Sequence, residues 1–580
     1  MFDHVIKGAT VVDGTGAPSR TADVALRGGR IAAVAEPGGL GESGRSQEDA
    51  TGLVLTPGFV DPHTHYDAQL FWDPFATPSM SHGVTTVAGG NCGFTLAPLH
   101  PDRPEDADYT RRMMSKVEGM SLAALEEGVD WTWSSFGDYL DALEGRIAVN
   151  AGFMVGHCAL RRHVMGADAV GGQPTRDQLD AMLRLFHESM EAGGWGLSTT
   201  QSSTHSDGDG RPVASRHARP DELLALSRAV GEHEGTQIEA IVAGCLDQFA
   251  DEEIDLLVEM SAVAGRPLNW NVLTIDAAVP ERVPRQLLAS ERARKAGGRI
   301  VALTMPILTP MNMSLGTFCA LNLIPGWGDV LALPVPERIA RLRQPAVRAE
   351  MLRRAASPEA GVFRRLADFG RYVIGDTYSD ANQGVSGRVV RDIAAERGQE
   401  PFETIVEICA NDRMRTVLWP MPTDNDPDSW ALRRRTWDHE DVMLGGSDAG
   451  AHLDRMCGAP YTTRFLGDCL RGRQLLPLER AVRMLTADPA RLFGLRGRGV
   501  IAPGNAADLV LFDPERIDAG PATLLHDLPG DSPRLDSRAT GILSVRVNGV
   551  ETIRDDTVTG AVPGTVLRSG RDTATVRTTP

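Results

Sequence analysis

The chain is 580 residues long, 42% apolar and 23% charged, with a formal net charge of −18. That length fits one large catalytic domain with a satellite, or two to three ordinary domains, and the composition is that of a soluble globular protein. The acidic excess argues against nucleic acid or an anionic membrane as the main partner, since both would be repelled, but leaves room for a small anionic substrate held by one well-placed Arg.

From the N-terminus, residues 3–12, 22–34 and 51–56 alternate apolar and polar positions between Gly-rich turns and read as short half-buried strands. The same texture returns in "ADLVLFDPERI" and "ILSVRVNGVETIRD", so residues 1–56 and 490–580 are expected to form one small β-sandwich domain built from both chain ends. Residues 57–489 alternate short apolar runs with helical stretches. The runs at 54–60, 83–88, 147–155, 194–199, 236–243, 266–273, 298–304 and 441–447 are candidate strands, with helical patterns such as 176–192 and 220–234 between them. Eight strands in this alternation predict an α/β fold of the (β/α)8 TIM-barrel type. The interval 305–440 is too long for one loop and carries helix-like stretches at 335–356 and 400–410, so it is expected to include an insertion over the barrel mouth. No internal repeat or low-complexity tract interrupts the pattern.

Cysteines 92, 158, 245, 319, 409, 457 and 469 are scattered without a Cys-x-x-Cys pair, as expected of reduced thiols in a cytosolic protein. The opening Met-Phe-Asp-His-Val-Ile-Lys lacks the apolar core of a signal peptide, and no later run is long enough for a bilayer. The expected location is the cytoplasm, with no membrane partner and with homo-oligomerisation left open.

His63-Thr64-His65 comes directly after the first candidate strand. In extended chain, residues two apart face one side, so both imidazoles can reach one metal ion. Two solvated loop histidines would look the same in isolation, but barrel enzymes keep their chemistry at strand C-termini. Asp448, in "VMLGGSDAGAH", ends the eighth candidate strand; it can ligate the same metal and take a proton from bound water. Alone it would read as a helix N-cap. Cys92, in "GGNCGF" after the second strand, is a potential thiolate ligand or else a buried inert thiol. His205 and Arg216, in "THSDGDGRPVASR" after the fourth strand, could stabilise an oxyanion and hold an anionic group, or simply belong to a polar surface loop. His157 and His163 flank the end of the third strand; packed structural histidines are expected there, with contact of one of them to the pocket left open, and His452 is expected to lie behind Asp448.

The segments "LTPGFVDPHTHYD", "GNCGFTLAP", "VGHCALRRHVMG", "GGWGLSTT", "GGSDAGAH" and "GRGVIAPGNAADLVLFDP" together resemble the amidohydrolase superfamily, and more narrowly its D-aminoacylase branch. The resemblance implies a catalytic barrel with a β-sandwich, metal-dependent hydrolysis of the amide in an N-acyl-D-amino acid, His63 and His65 as metal ligands, Cys92 as thiolate ligand and Asp448 as catalytic aspartate. It also matches Arg464, in "TTRFLG", to an arginine that binds the substrate carboxylate, a role suited to the guanidinium fork.

The chain departs from that branch in one respect. Histidines expected on strands five and six are absent, because none lies between His233 and His439; the matching stretches "TQIEAIVAG" and "PLNWNVL" offer Glu239 and Asn271 instead. No lysine lies near strand four to bridge two metals, since the chain has only Lys7, Lys116 and Lys295. The expected cofactor is therefore one divalent ion, Zn2+, on His63, His65 and Asp448, with Cys92 or Glu239 as further donors. Total loss of the metal stays open. So do two alternative activities: hydrolysis of a cyclic amide or other C–N bond, and a non-hydrolytic lyase, isomerase or binding role.

Overall fold

The computed structural model describes residues 1–41, 44–317 and 319–578. The N-terminal alternation yields strands β1 (Phe2–Val11), β2 (Arg20–Arg27), β3 (Arg30–Ala35), β4 (Gly44–Asp49) and β5 (Val54–Pro57). The central apolar runs become β6 (Phe59–Asp61), β7 (Val84–Gly89), β8 (Asn150–Phe153), β9 (Val155–Gly156), β10 (Gly196–Thr200), β11 (Gln237–Ile241), β12 (Pro267–Trp270) and β13 (Arg299–Thr304). After β14 (Tyr372–Ile374) and β15 (Leu418–Pro420) come β16 (Val442–Leu444), β17 (Leu509–Phe512), β18 (Asp518–Leu528), β19 (Ser532–Thr540), β20 (Ile542–Val547), β21 (Val550–Arg554) and β22 (Thr557–Val558).

Both chain ends share one nine-stranded sheet, ordered β22-β21-β20-β17-β5-β1-β2-β3 with β4 beside β1. Its hairpin β20–β21 turns at Asn548-Gly549, both at positive φ, as a two-residue turn between twisted strands demands. Ile6, Val11, Val24, Leu26, Leu55, Leu509 and Leu511 cluster in its apolar core.

The central strands pair in parallel, β6-β7-β8 in one sheet and β16-β13-β12-β11-β10-β9 in another. They read as continuous buried runs, such as Val-Thr-Thr-Val-Ala-Gly in β7, because helices cover the outer face of parallel sheets. Helix Arg176–Glu191 begins with a Thr175/Gln178 capping box, and helix Pro220–Gly231 begins with Pro, whose missing N–H is harmless there.

The expected first strand, 54–60, is in fact two. Val54–Pro57 pairs in the terminal sheet and Phe59–Asp61 in the parallel one. Gly58 makes the handover: a Cβ there would lie 2.1 Å from the Thr85 hydroxyl, so only glycine lets the chain pass.

Two compact units emerge, residues 1–309 with 431–580, and residues 310–430. The second has its own core, in which Trp327 stacks on Phe369 at 5.7 Å and Phe402 packs against both. The helical stretch expected at 335–356 breaks there into Val335–Leu342 and Pro345–Ala356, because a proline cannot continue a helix from the preceding turn. No helix among the described residues is long and apolar enough to cross a membrane.

Candidate metal centre and active site

The predicted residues lie at or just past the C-terminal ends of parallel strands: His63 and His65 after β6, Cys92 after β7, His205 after β10, Asn271 after β12 and Asp448 after β16, with Glu239 inside β11. Backbone hydrogen bonds clamp the His-x-His segment. Thr64 N donates to Ala88 O (2.9 Å), His65 N to Ala449 O (2.7 Å) and Asp448 N to His63 O (3.2 Å). Thr64 turns its hydroxyl to Ala88 O (2.8 Å), so the imidazoles on either side of it share the opposite face. Gly450 permits the approach of the Asp448 loop, since a Cβ there would lie 2.5 Å from the His65 carbonyl carbon.

Cys92 and Asp448 both adopt left-handed backbone conformations (φ 55° and 60°), and so does His452 (φ 50°). Non-glycine residues in this region are strained, and such strain concentrates at functional sites.

The side chains converge. His65 Nε2 lies 3.1 Å from Asp448 Oδ1, His63 Nε2 3.5 Å from the same oxygen, and His63 Nε2 3.5 Å from Cys92 Sγ. Ligand atoms of His63, His65 and Cys92 all fall within 4.8 Å of one another. His65 Nδ1 and Nε2, His63 Nδ1, Glu239 Oε1 and Asn271 Oδ1 are buried without a hydrogen-bond partner. The short His65–Asp448 approach is therefore not aligned as a hydrogen bond. A divalent cation answers this donor set directly: two imidazoles, a thiol and carboxylates with free lone pairs, with no Lys or Arg among the described residues paired to them.

Glu239 is fully buried, and its Oε2 accepts from Cys92 N (2.9 Å) and Ser198 Oγ (2.7 Å). The Ser198 and Cys92 contacts fix the carboxylate while Oε1 stays free. Ser198, missed from sequence, had no local signal beyond its place in β10.

The electrostatics are those of a crowded acidic site. Burial opposes charge on His65, but Glu118, Asp448 and Asp67 outweigh it and lift the imidazole to about 10. Burial also works against the Asp448 carboxylate, yet the adjacent His63 and His65 hold it well below the usual range. Burial, with Glu239, Glu118 and Asp448 nearby, pushes the Cys92 thiol far up.

His205 bonds Thr200 Oγ1 through Nδ1 (2.8 Å) and packs on Phe94 at 5.2 Å. Burial, aided by His452 and His65, drops it to about 3, so it is a neutral imidazole at physiological pH. Arg216 donates to His205 O (3.0 Å) and has no acidic partner among the described residues. Arg464 differs: it pairs with Asp518 Oδ1 (2.9 Å) and donates to Ala519 O, and among the described residues no contact joins it to the imidazole cluster. His452 Nε2 stands 3.8 Å from Asp448 Oδ2. His157 is tied to Glu222 and Thr199, each at 2.9 Å, and His163 packs against His100. Glu118, which carries no sequence motif, also reaches the cluster; its Oε2 is 3.6 Å from His65 Nε2.

Known proteins share this architecture. Residues 47–559 match the amidohydrolase family profile. The D-aminoacylase of Alcaligenes xylosoxydans xylosoxydans is 30% identical, across 98% of this chain and 97% of its own. The N-acyl-D-aspartate deacylase of the same organism is also 30% identical, over 98% and 95%. A crystal structure of N-acyl-D-glutamate deacylase from Bordetella bronchiseptica, complexed with zinc and a phosphonate inhibitor that mimics the tetrahedral intermediate, superposes with a TM-score of 0.66 at 26% identity, covering 98% of this chain and all of that one. The chain belongs to the amidohydrolase family and is a hydrolase of carbon–nitrogen bonds other than peptide bonds.

Proposed function

We propose that the chain is a metal-dependent N-acyl-D-amino-acid deacylase that works with one divalent ion, Zn2+. The observation that carries this is the chain of contacts Cys92–His63, His63–Asp448 and Asp448–His65, at 3.5, 3.5 and 3.1 Å. Ligands about 2.0–2.3 Å from a tetrahedral ion stand about 3.3–3.7 Å apart, a range that overlaps these separations. The relatives' substrates supply the N-acyl and D-configured parts of the reading. Glu239 and Asn271, in place of the imidazoles that the resemblance would put on strands five and six, favour one ion over two.

We read the two parallel sheets as arcs of one (β/α)8 barrel. β8 and β9 are separated only by Met154, and the bond from Asp448 N to His63 O links the ends of β16 and β6. Val60, Ala88, Val301, Leu303 and Met443, from both sheets, share one apolar cluster. The nine-stranded sheet would be the small β-domain. Cys92, Cys158, Cys245, Cys409, Cys457 and Cys469 are buried thiols that form no disulfide, which favours a reducing, cytoplasmic location.

A bound divalent ion supplies Lewis acidity toward the amide carbonyl and toward water. Asp448, whose side chain keeps 22% exposure, takes the proton of the attacking water and returns it to the leaving amine. His452 stands behind its other oxygen. His205, held neutral, can donate to the oxyanion as the carbonyl becomes tetrahedral.

For the substrate carboxylate, the guanidinium of Arg216, without an acidic partner among the described residues, is better placed than Arg464, which is committed to Asp518. Arg216→Ala should raise KM about 10–100-fold with a smaller change in kcat, since hydrogen bonds to charged groups carry about 1.5–3 kcal/mol. Arg464→Ala should leave KM within about twofold; the reverse pattern in steady-state kinetics would return the role to Arg464.

Metal uptake should release protons. His65, lifted to about 10, and Cys92, lifted far above its ordinary range, hold protons at pH 8, whereas ligation requires neutral imidazole and thiolate. Affinity should therefore climb as pH rises toward 10. Calorimetric titration of the metal-free protein with Zn2+ at pH 8, in buffers of different ionisation enthalpy, should show about two protons released; heat independent of buffer would contradict the ligand assignment.

The substrate class is tested by amine release from paired N-acyl-D- and N-acyl-L-amino acids. Turnover confined to D-members is expected. Release from none of them by metal-loaded protein would turn the reading toward a cyclic amide or another C–N substrate.

A further inference from the structure

Glu118 comes immediately after α1 (Pro104–Val117), and its carboxylate is only 3% exposed. This is a poor place for a negative charge. The C-terminal end of a helix already carries partial negative charge, and a carboxylate there is disfavoured. Burial beside other carboxylates adds to the penalty. Among the described residues no Lys or Arg pairs with it; its ion-pair partner is His65, 3.6 Å away.

The backbone fixes this position at both ends of the residue. Glu118 N caps the helix on Met114 O, and Glu118 O accepts from His452 N, tying the helix end to the Asp448 loop. Gly119, at φ 60°, then turns the chain away, and a Cβ there would press within 3.2 Å of His452 Cα.

The separation of Glu118 Oε2 from His65 Nε2 continues the series of Cys92–His63, His63–Asp448 and Asp448–His65. Three of these four edges, at 3.5–3.6 Å, have the length expected between neighbouring donors on one ion, and the fourth, Asp448–His65 at 3.1 Å, is slightly shorter. His65 contributes two ring nitrogens that are buried and unpartnered, and Glu239 Oε1 is likewise buried and unpartnered.

We infer that Glu118 is a metal ligand of this site, an oxygen donor brought from outside the strand ends that closes the ion's coordination on the side of His65. The inference rests on the metal-dependent reading above. It gives the centre an extra anionic oxygen where strand five and strand six provide no imidazole. An oxygen donor of this kind favours a harder divalent ion more than a third imidazole would.

The test is Co2+ binding to metal-free protein, monitored by visible absorption and by thermal unfolding, for wild type and Glu118→Gln. The wild type should bind Co2+ and melt higher with it. Glu118→Gln should bind at least about tenfold more weakly, with altered ligand-field bands, while the thiolate-to-metal charge-transfer band from Cys92 persists. Its metal-free form should stay folded, because glutamine keeps the shape of the side chain and Asp448 and Asp67 remain beside His65. Should that variant fail to fold, Glu118→Asp keeps the charge but withdraws the oxygen, and should change the bands in the same way. Unchanged affinity, or weaker binding with an identical spectrum, would make Glu118 a charged neighbour and overturn the proposal. Failure of the wild type itself to bind Co2+ would instead overturn the metal-dependent reading on which it rests.

Discussion

Asp448→Asn should lower kcat by about 10³-fold while leaving the fold intact. The side chain sits among three imidazoles. Its Oδ1 lies 3.1 Å from His65 Nε2 and 3.5 Å from His63 Nε2, while Oδ2 faces His452 at 3.8 Å. The two imidazoles keep it ionised across the neutral range, the form in which a carboxylate can accept a proton. Asparagine preserves size and the hydrogen bond from residue 448 N to His63 O, but offers no carboxylate to take a proton. Steady-state kinetics with an unfolding curve separate the two effects. Wild-type turnover by the variant would remove Asp448 from the reaction.

His65→Ala should reduce bound metal well below one equivalent and turnover by at least about 10²-fold, since even partners behind metal ligands cost 10–100-fold. His65 is the hub of the cluster, touching Asp448 at 3.1 Å and Glu118 at 3.6 Å. It is also the main cationic counterweight to the buried Glu118, Asp448 and Asp67. Its removal therefore strips both a donor and the charge that lets the carboxylates coexist. Metal analysis of dialysed protein checks the prediction; retention of a full equivalent of metal by the variant would move the centre away from the His-x-His segment.

Much of the cluster that the fold brings together was legible in the sequence because its parts are short motifs at strand ends. His63 and His65 are two residues apart in extended chain, and Asp448 and Cys92 are flagged by the Gly-rich turns around them. The absence of histidine between His233 and His439 was equally visible. In the folded chain Glu239, pinned by Ser198 and by Cys92 N, keeps one oxygen free on strand β11. Glu118 was not legible. It comes from a helix end with no motif, and only the folded chain brings it to His65. Arg464 pairs in the folded chain with Asp518, and that partner was not legible either, because it belongs to the β18–β19 hairpin, which the alternation of residues did not reveal. The same limit explains the first strand, where periodicity continues through Gly58 although the chain changes sheets there.

Amide hydrolysis, on the proposed reading, depends on an ion held at His63, His65 and Asp448. The most direct measurement is amine release from N-acyl-D-amino acids by protein stripped with a chelator and then titrated with Zn2+. Stripped protein should be inactive, with activity returning in proportion to metal and levelling near one equivalent. Full turnover by metal-free protein would contradict it.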